Sequence, residues 1–373
     1  VGVATKLMSE GAREPYFADV RTEYADIAEK HAAGRGNQKR SSISKARENA
    51  FQCDFAGKPP VAPKKPGRTV YDAFPLEELV PLIDWTPFFA TWEIKGRFPG
   101  VLTDNRYGPA AKALYDDARR MLDEIVEKKL LTARGVASLW PANSVGDDIR
   151  VYADESRTEE LATFHTLRQQ MVRSAGGRAN VALSEFVAPV ECGVLDWVGG
   201  FAVTSGHGED ELAARYARES DDYNKILSQA LADRLAEAFA EKLHEIVRKD
   251  LWGYAADETL STDDIIAEKY HGIRPAPGYP AQPDHTEKDT LFDLLDAERL
   301  TGIQLTESRA MLPGSSVSGL YFAHADSHYF GVGKIERDQV EDYAARKGWD
   351  LELAERWLAQ ILNYEPARMV AAE

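Results

Sequence analysis

Cysteine is almost absent. Cys53 and Cys192 are the only 2 in a chain of 373 residues, too few for a disulfide framework or a Cys-rich metal site. So thiol-poor a chain suits a reducing, cytoplasmic compartment. Long apolar runs are also missing, and none reaches the roughly 18 residues of a membrane-crossing helix. Positive charge is in deficit: 45 Lys and Arg against 61 Asp and Glu leave a formal net charge of −16. That balance excludes the basic footprint of a general nucleic-acid or anionic-membrane binder. Familiar catalytic signatures are missing as well. There is no GxGxxG after a strand, no Walker loop, no HExxH and no GxSxG elbow. Cys192 lacks a basic sequence neighbour that would mark it as a nucleophile. The 8 histidines are scattered. His324 and His328 with Asp326 read as a polar turn between two strands rather than as a metal cluster. No catalytic side chain and no protein metal site are therefore expected.

What is present is apolar content, 44% of the chain, enough for the core of one large domain or two ordinary ones. The chain opens on Val1 without a signal peptide and reads as a piece of something longer. Val1 to Ser9 resembles the end of an amphipathic helix, and Tyr16 to Ala33 is polar and helix-prone. Arg35 to Arg47 carries Arg35, Lys39, Arg40, Lys45 and Arg47 with little apolar content, as a solvated linker face would. Gly57 to Gly67, GKPPVAPKKPG, is an extended, semi-rigid spacer. A domain boundary is expected there, dividing residues 1–66 from 67–373.

Leu76 to Ile83 reads as a short helix or turn. Tyr107 to Lys129 has helical periodicity, with Leu114, Ala118, Met121, Leu122 and Ile125 at i, i+3 and i+4 spacing. Val136 to Trp140, Ile149 to Ala153, Val181 to Val187 and Trp197 to Val203 read as strands, with a helix over Leu161 to Val172. Asp210 to Tyr254 is nearly all helix. Its long segment, Asn224 to Leu251, buries Leu227, Leu231, Leu235, Phe239, Leu243, Ile246 and Val247, and turns Asp233, Glu237, Glu241 and His244 to another face. Thr262 to Tyr270, Lys288 to Leu295, Asp338 to Lys347 and Leu351 to Leu362 are further helices. Leu305 to Leu312, Val317 to His324 and Tyr329 to Ile335 read as successive strands. Elements of one kind are grouped instead of alternating. The expected class is α+β, a mainly antiparallel sheet with flanking helices, preceded by a helical and extended linker.

The most distinctive stretch is Arg274 to Pro283, RPAPGYPAQP. Its prolines fix φ near −65° and bias the residues before them toward extended backbone. Gly278 admits a left-handed or closely approached position. The product is a stiff ribbon that holds a forked cation, Arg274, and an aromatic face with a polar tip, Tyr279, in fixed register. A second notable stretch, IDWTPFFATW (Ile83 to Trp92), sets Asp84 among aromatic rings. Such a carboxylate serves as a cap, or as part of a site for a sulfonium or ammonium centre.

These stretches carry a resemblance. RPAPGYPAQP resembles the RPAPGYPACP signature of the activation domain of cobalamin-dependent methionine synthases, with Gln282 where the usual motif has Cys. Asp221 to Tyr254, His285 to Leu295, Lys334 to Gly348, Ile83 to Trp92 and Trp140 to Ile149 look like the same domain, in the family's order. The resemblance spans about Phe74 to Pro366. It implies that residues 1–66 are the end of a cobalamin-binding domain and a linker. It implies S-adenosylmethionine as ligand, with Asp84, Glu237, Arg274, Ala276, Tyr279, Tyr329 and Phe330 as contacting positions. Arg274 would meet the ligand carboxylate, Asp84 its amino group, and backbone around Ala276 the adenine edge.

In that family the domain supports reductive methylation of enzyme-bound cob(II)alamin. The methyl group comes from S-adenosylmethionine and the electron from flavodoxin or a flavoprotein reductase. Reduced cobalt is the nucleophile, so the protein's task is orientation. The implied partners are that flavoprotein and the cobalamin-binding domain of the same full-length chain, with no nucleic acid and no membrane. A fragment of such a methyltransferase is expected to bind ligand without turning over alone. The alternative is a non-catalytic ligand-sensing or flavoprotein-docking module.

Overall fold

The structure is a computed structural model that describes residues 2–35, 40–172 and 177–366. Val1, Lys39 and residues 367–373 lie outside the described residues. The chain begins with α1 (Gly2–Met8) and α2 (Glu10–Arg35). From Glu10 to Lys30 the side chains of α2 are exposed or half-buried. The short helix α3 (Ile43–Glu48) starts at Ser42, whose hydroxyl accepts the Lys45 amide at 3.4 Å, and it buries Ile43 and Ala46. The basic segment is not a purely solvated face. Arg47 bridges Asp147 and Asp342, each at 2.8 Å, and Arg40 donates to the Lys334 carbonyl at 3.1 Å. Two carboxylates on the body of the domain outcompete water for the Arg47 guanidinium. The Pro-rich spacer then runs extended along the end of a long helix. Lys65 N–H donates to the Leu251 carbonyl at 2.8 Å, and the Trp252 indole donates to Val61 O at 2.7 Å.

The body follows in the order β1 (Gly67–Phe74), α4 (Leu76–Leu79), α5 (Trp85–Thr91), α6 (Gly108–Lys128), β2 (Thr132–Val145), β3 (Asp148–Tyr152), β4 (Glu160–His165), β5 (Asp196–His207), α7 (Glu209–Arg218) and α8 (Asp222–Ile246). Next come α9 (Thr262–Ile266), α10 (Glu287–Leu295), α11 (Ala297–Thr301), β6 (Gln304–Leu305), β7 (Met311–Leu312), β8 (Ser316–Tyr321), α12 (Arg337–Lys347) and α13 (Leu351–Trp357). The fold is α+β. Its main sheet has 6 strands in the order β4-β3-β2-β5-β8, with β1 also on β2, and the pairings between its strands are antiparallel. β1 and β3 share one edge of β2. Pairing with β1 reaches Leu139 and pairing with β3 starts at Ala142. Pro141 falls between them, where a residue without an N–H is tolerated inside a strand.

Both faces of the sheet are covered. Ala133, Ala137 and Leu139 of β2, with Trp197, Phe201 and Val203 of β5, face the core under α6 and α8. Val136, Trp140, Val198 and Ala202 face the opposite core, under α10 and α11. This alternation of period two, apolar on both sides, is why the central strands read as continuous apolar runs. α8 is held close to the sheet: a Cβ on Gly135 would lie 2.8 Å from the Phe239 ring. The Ser205 hydroxyl also donates to the Ala232 carbonyl at 2.6 Å. Of the expected stripe, Leu227, Leu231, Leu235, Phe239 and Leu243 of α8 and Val247 just beyond it are fully buried and Ile246 is half-buried, but His244, assigned to the other face, is fully buried too. Tyr321 stacks on its ring at 5.1 Å.

Four elements differ from expectation. Leu161 to Val172 is not a helix: its first half is β4, in which Phe164 opposite Ile149 enters the core. Pairing with β3 overrides the i, i+3 spacing of Leu161 and Phe164. Val181 to Val187 is not a strand, because the Glu185 carboxylate accepts the Ala182 amide at 3.0 Å and closes a tight helical turn, Leu183–Phe186. Leu305 to Leu312 narrows to the two-residue strands β6 and β7. Tyr329 to Ile335 is irregular, interrupted by Gly333 at φ +72°. Strand β1 follows the spacer directly and was hidden by its charged, exposed side chains.

Candidate ligand-binding site

The outer edge of β8 carries the Pro-rich ribbon. Ile273 and Phe322 exchange backbone hydrogen bonds, both 3.0 Å, and Leu320 N–H donates to the Pro275 carbonyl at 2.8 Å. Gly319 permits this approach, since a Cβ there would lie 2.8 Å from Pro275 O. Beyond Pro275 the ribbon curls on itself. Gly278 N–H donates to Gln282 O at 2.7 Å, and Gln282 N–H donates to Tyr279 O at 2.9 Å. Gly278 has φ +93°, and a Cβ on it would lie 2.3 Å from the His285 ring. Both its conformation and its space require glycine.

Between this ribbon, α8 and β8 opens a cleft of about 400 Å³. Six of the seven expected residues line it: Glu237, Arg274, Ala276, Tyr279, Tyr329 and Phe330. Four separate segments supply the rest of the wall, with Phe201 from β5, Val317 and Ser318 from β8, Pro275, Pro280 and Ala281 from the ribbon, and Glu268 from the turn after α9. Tyr279 is 62% exposed, so its ring is free to meet an incoming flat group. Asp84 is not among the lining residues. It is the N-cap of α5 and accepts the Thr86 amide at 2.9 Å. The capping role read from the sequence is therefore present.

Arg274 is the buried cation of the cleft. Its side chain is 13% exposed and ion-paired with Glu241. Its backbone N–H donates to the Tyr329 hydroxyl at 3.1 Å, which in turn meets the Tyr270 hydroxyl at 3.1 Å. Burial works against the guanidinium charge, but Glu241 overcomes it and holds the group above its ordinary range. Burial pushes the Glu241 carboxyl up, opposed by Arg274 and Arg248. Burial also raises the Tyr270 and Tyr329 phenols, so both act as neutral hydrogen-bonding groups. Two polar atoms of the wall are buried without a hydrogen-bond partner: Arg274 Nε and Ser318 Oγ. Such orphans are rare in folded proteins, and here they fit a polar ligand. Glu237 and Glu268 add carboxylates to the lining, which suits a ligand with a cationic part.

Sequence reasoning missed Glu268 and the role of Glu241. Glu241 follows Glu237 by one helical turn, so the i, i+4 pattern pointed to the right face. Glu268 carried no signal, because its place depends on a left-handed backbone, φ 55°, after a short helix. Elsewhere, Cys53, His324 and Asp326 bring potential ligand atoms within 4.8 Å of one another. Lys58 already neutralises Asp326, and His324 Nδ1 accepts the Asp326 amide at 3.1 Å. Burial pushes the Cys53 thiol up to about 12, far from a reactive thiolate. A wider acidic depression lines α10 and α11, where Asp289 is paired with Arg309 and Asp296 with Arg299.

A partly apolar cleft with a buried cation, framed by a stiff ribbon and a long helix, defines a small-ligand-binding domain of the α+β class. The family model of the vitamin B12 dependent methionine synthase activation domain matches residues 75–348. The chain belongs to this family. Its structure is similar to a solved structure of the MetH reactivation domain bound to AdoHcy, with 51% sequence identity and a TM-score of 0.85 over 87% of this chain and 99% of that one. Among the described residues no helix is long and apolar enough to cross a membrane.

Proposed function

We propose that the cleft binds S-adenosylmethionine and presents its methyl group for reductive methylation of cobalamin held by a neighbouring domain of a longer chain. The observation that carries this reading is the convergence of Arg274, Ala276 and Tyr279 of the ribbon with Glu237, Tyr329 and Phe330 around a single cleft. Buried Arg274 keeps an unpartnered Nε for a carboxylate. Two carboxylates in the lining suit the ammonium and sulfonium centres, and Tyr279 and Phe330 offer ring surfaces to the adenine. The AdoHcy bound by the similar reactivation domain supports a ligand of this class.

Cobalamin would supply the metal that accepts the methyl group, after one-electron reduction by flavodoxin or a flavoprotein reductase. This chain would contribute binding and orientation: the ribbon fixes the ligand, and the reacting methyl is held toward the partner domain. Residues 1–66 would be the end of the cobalamin-binding domain and its linker, and 67–373 the activation domain. Alone, the chain would bind ligand without turnover. Asp84, the N-cap of α5 and outside the cleft lining, is carried in this reading as a further partner of the ligand ammonium.

Titration calorimetry with S-adenosylmethionine tests the proposal. Binding is expected for the parent chain, and Arg274→Ala is expected to weaken it by ~2 to 5 kcal/mol through loss of a buried charge pair. Unchanged affinity in that variant refutes the assignment. Binding without methyl transfer, when the full-length protein is supplied with reductant, would favour the sensing or docking alternative.

A further inference from the structure

Arg274 is held from two sides, by Glu241 outside the cleft lining and by Tyr329 within it. Glu241 takes Nη2 through a single carboxylate oxygen. The Tyr329 hydroxyl accepts the backbone N–H, and Tyr270, itself outside the lining, steadies that hydroxyl. This leaves a buried donor of the side chain unused. Arg274 Nε is buried and has no protein partner, and Glu241 Oε2 is likewise unpartnered. A guanidinium carries five N–H donors, so a single-oxygen contact from Glu241 leaves an edge for a second anion. A free arginine side chain would lose rotamer freedom on being fixed, and here that ordering precedes ligand binding.

We propose that Glu241 is the positioning residue for Arg274: it fixes one arm of the guanidinium so that the Nε edge meets a ligand carboxylate. Glu241 lies on α8 one turn beyond Glu237, which lines the same cleft. The helix thereby sets the register between the cation and Glu237. Two carboxylates then share one cation, as the number of guanidinium donors permits. The inference rests on the reading that Arg274 receives the ligand carboxylate.

The test compares S-adenosylmethionine with decarboxylated S-adenosylmethionine, which lacks only the group that Arg274 would meet. Affinities for both are measured by calorimetry on the parent chain and on Glu241→Ala and Glu241→Gln. The parent is expected to prefer the carboxylated ligand. Glu241→Ala should lower that preference about tenfold, while affinity for the decarboxylated ligand stays within about threefold. Glu241→Gln keeps the shape and an acceptor and should recover part of the preference; it carries the same comparison if the alanine variant does not fold. An unchanged preference overturns the inference, and so does equal weakening of both ligands, which would mark a merely structural role. A stronger preference overturns it as well, because Glu241 would then be a competitor for Arg274. A parent that does not distinguish the ligands overturns the Arg274 assignment itself, and this inference with it.

Discussion

The side-chain amide of Gln282 donates to the backbone carbonyl of His165 at 2.7 Å. It ties the Pro-rich ribbon to the last residue of β4 and occupies the position where the family's usual motif has cysteine. Gln282 is 1% exposed, and its side chain does not line the cleft. Its work is therefore on the scaffold. Gln282→Ala should destabilise the chain by ~1 to 3 kcal/mol, because the His165 carbonyl loses its close donor and keeps only the Tyr343 hydroxyl at 3.5 Å. Ligand affinity should stay within about tenfold of the parent, or ~1.4 kcal/mol. Denaturant unfolding and calorimetry on the same variant separate the two effects. A normal stability with a large loss of affinity would place the amide at the ligand instead.

Much of this fold is legible in the sequence, and the exceptions share a cause. The long helices follow from local pattern: the stripe from Leu227 to Leu243 needs no knowledge of its partner to be read. β4 does not, because its helical spacing is overridden by pairing with β3, a contact made only after folding. Tyr329 to Ile335 looks like a strand, but Val332 N–H donates to the Pro280 carbonyl at 2.8 Å, so that segment serves the ribbon instead of a sheet. The site divides in the same way. Ribbon residues are adjacent in sequence, and proline chemistry announces them. Glu268 reaches the cleft wall, and Tyr270 the Tyr329 hydroxyl, through a turn whose conformation no periodicity encodes.

Asp196 makes stability depend on pH. It opens β5, where its two carboxylate oxygens accept the Ala188 and Trp197 amides, each at 2.7 Å. Burial nevertheless dominates and raises its carboxyl to about 7, with those hydrogen bonds and Arg157 opposing. The folded chain therefore keeps this proton over a range in which the unfolded chain has lost it. Its contribution is complete below the unfolded value near 3.8 and is lost as pH rises to about 7, by on the order of a few kcal/mol. Unfolding free energy measured from pH 5 to 8 should fall more steeply for the parent than for Asp196→Asn. The variant should also be less stable at pH 5, since its amide cannot accept from both N–H groups. Parallel pH profiles would remove Asp196 from this account.

The last prediction concerns an electron donor. The chain carries a net charge of −16, and flavodoxins are typically acidic, so a productive encounter needs local positive charge. Lys95 and Arg97 are exposed just beyond α5. A surface depression of about 780 Å³ there is lined by Lys95 and Arg106 and the carboxylate Glu93, together with Thr86, Ala90, Ile94 and Tyr107, and Arg97 lies beside it in sequence, outside the lining. With Arg97, three cationic side chains against the one carboxylate Glu93 leave local positive charge beside apolar surface, which an acidic redox partner would meet. Such a contact should weaken as salt rises, because exposed charges are screened beyond roughly 8 Å at physiological ionic strength. Reversing both charges in the double variant Lys95→Glu, Arg97→Glu should slow association more than it speeds dissociation, the mark of steering by rim charges. Ligand affinity should be unaffected, since neither residue lines the ligand cleft. The measurement is the association rate of a flavodoxin against ionic strength for parent and variant. A steep salt slope in the parent that flattens in the variant supports docking at this surface, whereas identical slopes would rule this patch out.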